Sequence, residues 1–152
     1  MPDALADSQT GGGVMTQKVA QRRLALLWFS GFGLLFLIMA IQVVADRYQS
    51  ATSSAVGWFF PTTIPVSTLM IGVLVAQAMG GTAEARAADV FVYRLALTML
   101  AVYLLMVGFT IVYATAFTVR PAAVFDRSNY VLGPAQGLVT AALGAFFARQ
   151  VK

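Results

Sequence analysis

Every Lys, Arg, Asp and Glu of this chain falls between or outside four uncharged intervals, 24–45, 48–83, 95–119 and 128–148. Each supplies enough mostly apolar residues to reach across the ~30 Å hydrocarbon core of a bilayer at ~1.5 Å per residue. With no water there to take backbone hydrogen bonds, such intervals form helices. The pattern predicts an all-α integral membrane protein, with four transmembrane helices over about 24–45, 58–79, 95–118 and 130–148 packed as a compact bundle in a domain covering 24–152.

The 152 residues, 59% hydrophobic and only 11% charged, lie outside the range of a soluble domain and leave room for one membrane domain. Neither Cys nor His occurs, which removes thiolate nucleophiles, the commonest metal ligands and the commonest general base. The acids are few. Asp3 and Asp7 lie near the N-terminus, Asp46 and Asp126 each adjoin an arginine, and Glu84 and Asp89 flank Arg86. Ion pairing and solvation account for all of them, so the sequence predicts no enzyme, no metal site and no cofactor. The net charge of +4 sits beside apolar spans, where anchoring and topology place it, so nucleic acid is not an expected partner.

Residues 1–13 mix small, polar and acidic residues and end in three glycines, which predicts a disordered tail. Residues 14–23 form a basic juxtamembrane segment. The first apolar run follows a 23-residue leader and exceeds the ~7 to 15 residues of a signal-peptide core, so it is expected to be retained. Both termini are expected to be cytoplasmic. That orientation puts Lys18, Arg22, Arg23, Arg86, Arg94, Arg149 and Lys152 inside and leaves only Arg47, Arg120 and Arg127 outside, as the positive-inside rule favours. The expected location is the plasma membrane, or the inner membrane if the source is bacterial.

Small residues recur at helical spacing. Gly31 and Gly33 make a notch in the first span, Gly72, Ala76 and Gly80 fall on one face of the second, and Gly133, Gly137, Ala141 and Ala145 form the most regular stripe, in the fourth. Such faces let backbones approach closely, within a bundle or between copies, and Gln136 beside the last stripe can bond across an interface. The residues 82–94 permit either a third helix that starts well before Arg94 and projects from the membrane or a solvated turn over Ala85 to Ala88. The segment 126–129 reads as an outer loop, with the fourth helix starting near Tyr130.

A second kind of element surrounds Pro61, Thr62, Thr63 and Pro65. Two prolines four apart remove two backbone donors and leave carbonyls unpartnered, and irregular backbone at membrane depth lines sites in some transporters. The competing expectation is that Pro61 starts the helix and Pro65 bends it near the interface. Ser67 can return a hydrogen bond to that backbone, and Tyr103, Thr110 and Tyr113 share a stripe with Met99, Met106 and Phe117 in the third span. Together these residues are the candidate pore or broken-helix element.

No Asp, Glu, Lys, Arg or His lies inside any span, which disfavours a proton-coupled transporter. A small four-span exporter of the multidrug-resistance type would carry a carboxylate in its first span, and 24–45 has none. The expected function is that of a non-catalytic membrane subunit acting through helix association, with itself or with another membrane protein in the lipid bilayer. A small homo-oligomeric channel, pore-forming or effector protein is the alternative.

Overall fold

The computed structural model describes residues 16–79, 89–117 and 120–148. Four helices account for nearly all of them: α1 (Gln17–Val44), α2 (Thr52–Ala78), α3 (Val90–Ala116) and α4 (Pro121–Ala148). Their 27 or 28 residues correspond to about 40 Å, longer than a ~30 Å hydrocarbon core. All four are long and apolar enough to cross a membrane. The outward faces carry Leu26, Leu34, Leu37, Ile41, Leu105 and Leu138 among other exposed apolar side chains, a surface suited to lipid.

The packing is a ring in which α1 and α4 each lie against both α2 and α3, and the α3–α4 contact is the most extensive. Helices α1 and α3 run one way, and α2 and α4 the other, as shown by Leu35 meeting Gly108 and by Tyr93 meeting Phe146. The α1–α2 and α3–α4 turns therefore share one end, called the loop end below. The core is one continuous cluster with a near-heptad seam. Ala96, Leu100, Tyr103, Val107, Thr110 and Ala114 are buried along α3, and Phe125, Leu132, Val139 and Phe146 recur every seventh residue along α4. Spacing near 3.5 is the signature of side chains interlocking between helices crossing at small angles.

The α1–α2 reversal uses no glycine. Asp46 adopts φ 52° and Gln49 φ 50°. Around Asp46 the chain forms a Schellman close: Arg47 N–H donates to the Gln42 carbonyl (2.9 Å) and Asp46 N–H to the Val43 carbonyl (3.1 Å), satisfying the last carbonyls of α1. The turn continues through a 3₁₀ segment, Gln49–Ala51, directly into α2.

Three boundaries differ from the sequence reading. First, α2 starts at Thr52, so both prolines are interior and neither opens the helix. Second, α4 starts at Pro121 and makes 126–129 helical. Proline suits a first helical turn, and the extra turns bury Phe125 against Tyr48 and Trp58, an apolar gain that a solvated loop would forgo. Third, α3 starts at Val90 behind Asp89, whose Oδ1 accepts from the Phe91 and Val92 amides at 3.0 and 3.3 Å, an N-cap. The tail 1–13, most of the projecting segment 82–94 and Gly80 lie outside the described residues, as do Arg149 and Lys152.

Candidate association surface and the mid-bundle polar layer

Near the middle of the helices, polar side chains from all four converge on one stretch of α2. Pro65 has no N–H to give the Pro61 carbonyl. Gln136 of α4 supplies a donor instead, its Nε2 lying 3.3 Å from the Pro61 oxygen and 3.2 Å from the Thr62 oxygen. From α3, the buried Tyr103 hydroxyl donates to the same Thr62 carbonyl at 2.6 Å. From α1, the Trp28 indole N–H donates to Ser67 Oγ at 3.0 Å, and Ser67 donates onward to the Thr63 carbonyl at 3.0 Å.

The remaining hydroxyls serve their own helix. Thr62 donates to the Trp58 carbonyl (2.7 Å), Thr63 to Phe59 (2.9 Å) and Thr110 to Met106 (2.9 Å). Of the two carbonyls that the prolines leave without a helical donor, those of Gly57 and Pro61, the Gln136 amide meets that of Pro61, and the α2 hydroxyls back-bond to the neighbouring Trp58, Phe59 and Thr63 carbonyls. An aromatic sheath of Trp28, Phe32, Phe36 and Phe59, with ring centroids 5.8 to 6.4 Å apart, covers the α1–α2 side.

The candidate pore residues are thus only partly brought together. Pro61, Thr62, Thr63, Pro65, Ser67 and Tyr103 share this layer. Thr110 is buried two turns along α3 towards the loop end, and Tyr113 is outward-facing, stacked between Phe109 and Phe117 at 5.6 and 5.7 Å. The stripe 99, 103, 106, 110, 113, 117 coincides with the buried seam of α3 only at Tyr103 and Thr110. The actual seam runs through Leu100, Val107 and Ala114, whose side chains carry no polar atom to attract notice in the sequence.

The small-residue stripes divide differently. Gly31 is a true internal notch: a Cβ there would lie 2.6 Å from Leu104 Cδ1. Gly33, two residues on, faces open space, and so do Gly72, Gly133 and Gly137, with nothing among the described residues within 4 Å of an added Cβ. Ala76, Ala141 and Ala145 are also exposed. The whole α4 stripe therefore lies away from the bundle core, opposite the buried Phe125, Leu132, Val139 and Phe146.

No family model matches the chain, and no curated protein or solved structure matches it. Geometry alone therefore carries the functional reading. Among the described residues there is no group of three or more His, Cys, Asp or Glu able to hold a metal, and Asp46 and Asp126 are exposed at the loop end.

At that end Tyr48, which no sequence motif singles out, is buried beneath the turn, donates to Gln42 Oε1 and packs on Phe125 at 5.7 Å. Burial pushes its phenol up to about 12. The neighbouring Trp58 indole N–H is buried and has no partner among the described residues.

Proposed function

We propose that this four-helix membrane protein is a non-catalytic subunit that acts by helix association, through the face of α4 bearing Gly133, Gly137, Ala141 and Ala145. The observation that carries the reading is that all four small residues face outward, with open space over both glycines. In a bilayer, lipid tails offer no hydrophobic reason for helices to associate, so close backbone approach over small residues is a principal source of interhelical attraction. Inside the bundle, by contrast, α4 packs through large residues. The two faces of one helix thus suit two different contacts, one within the chain and one beyond it.

The partner is a second copy or a larger membrane assembly, with both termini cytoplasmic and the loop end outside. The channel alternative draws on the polar layer. Its hydroxyls, however, already donate to backbone carbonyls, which leaves few donors for a permeating species.

Native mass measurement in nanodiscs, paired with an ion-flux assay on the same samples, tests the proposal. A defined oligomer or stoichiometric complex that does not conduct, and that Gly137→Leu dissociates while the monomer stays helical, is the expected result. A conducting homo-oligomer would favour the channel, and an assembly indifferent to Gly137→Leu would remove α4 as the contact.

A further inference from the structure

We propose that the groove between α3 and α4 seats one acyl chain of an anionic phospholipid, with the phosphate held by Arg127. The groove encloses about 480 Å³, with Leu105, Met106 and Phe109 on one wall and Ser128, Val131 and Leu132 on the other. Its hydroxyls are already committed, Thr110 to the Met106 carbonyl at 2.9 Å and Ser128 to the Phe125 carbonyl at 2.8 Å. Such walls suit hydrocarbon and offer nothing to a polar guest.

Charge complementarity identifies the kind of lipid. Arg127 lies one helical turn from Val131 on the same side of α4, towards the loop end. It is exposed and has neither hydrogen bond nor ion pair among the described residues. Its neighbour Asp126 is set about 100° away around the helix, so the groove mouth presents a cation to the headgroup layer. On the α3 side, the stack Phe109, Tyr113 and Phe117 climbs past the groove towards the same end, where aromatic rings mark the membrane interface.

The shape argues against a second copy as the occupant. Leu105 and Phe109, 73% and 68% exposed, stand up as a ridge along the groove, and a ridge of large side chains holds another helix at a distance. The small-residue face proposed for association lies on a different side of α4, so this site does not depend on that reading.

The chain contains no Cys, so Val131→Cys gives a unique attachment point for a bimane fluorophore at the groove. Vesicles of phosphatidylcholine would carry a small, equal fraction of spin-labelled phosphatidylglycerol or spin-labelled phosphatidylcholine. The expected result is preferential quenching by the anionic lipid, with a local enrichment of about fivefold, the effect of one cation near a membrane surface. The preference should persist in Arg127→Lys, vanish in Arg127→Gln, and be absent for a label at Ile71, which is exposed on α2. Equal quenching by both lipids, a preference that survives Arg127→Gln, or shielding of the label from both lipids by a second copy would each overturn the proposal.

Discussion

Replacing Gln136 by Leu should destabilise the bundle by about 1 to 2 kcal/mol, and most of that cost should disappear when Pro65 is replaced by Ala. In the native chain the Pro61 carbonyl has no backbone donor because Pro65 lacks an N–H, and Gln136 reaches it at 3.3 Å. Interhelical hydrogen bonds in bilayers average ~0.6 kcal/mol and reach ~1.7, and Pro61 lies on an exposed face of α2 where lipid offers no donor, so leaving its carbonyl unpaired costs about 1 to 3 kcal/mol. The amide also serves the Thr62 carbonyl, which Tyr103 continues to satisfy after the substitution. Alanine at 65 returns an N–H to the i−4 position. Gln136 then becomes largely redundant, and the double-mutant cycle should give a coupling near 1 kcal/mol. Reversible unfolding of the four variants in mixed micelles, followed by far-ultraviolet circular dichroism, measures it. Additive effects, with coupling below about 0.3 kcal/mol, would refute the idea that Gln136 substitutes for the missing backbone donor.

Gly31 and Gly33 should respond oppositely although they are two residues apart. Gly31→Ile collides with Leu104 and should lose about 1 to 3 kcal/mol, whereas Gly33→Ala meets open space and should gain up to ~1 kcal/mol from helix propensity, both read as shifts in midpoint temperature. Alkaline pH should separate wild type from Tyr48→Phe. Below pH 10 the phenol is protonated whether the chain is folded or unfolded. From about 10 to about 12 only the folded form keeps its proton, so stability falls with rising pH until the folded group also ionises. Melting curves across that window should fall more steeply for wild type, and parallel slopes would show that burial at the loop end does not govern the titration.

The number of helices and their approximate places were legible because charge is confined to the gaps between spans, a signal that bilayer thickness imposes directly. Helix ends were less legible. The residues 52–57 and 121–129 are mostly polar or small and fall outside the spans that hydropathy marks, yet they are helical, with Tyr48, Trp58 and Phe125 packed on one another there, a tertiary gain invisible to local pattern. Pro61 and Pro65 announced a backbone lacking donors, and Gln136 stood out as a lone amide in an apolar run. That the second answers the first follows only from α2 and α4 being neighbours. The glycines were the least decidable: Gly31 and Gly137 have the same sequence character, and only the rotation of each helix about its axis turns one inward and the other outward.

The borrowed donor at Pro61 has a consequence for biogenesis. α2 leaves the ribosome long before α4, and until Gln136 arrives its proline-interrupted turn has an acceptor that no local group can satisfy. A chain stalled or cut before residue 136 would therefore leave exposed to the bilayer the Pro61 carbonyl that Gln136 covers in the finished protein.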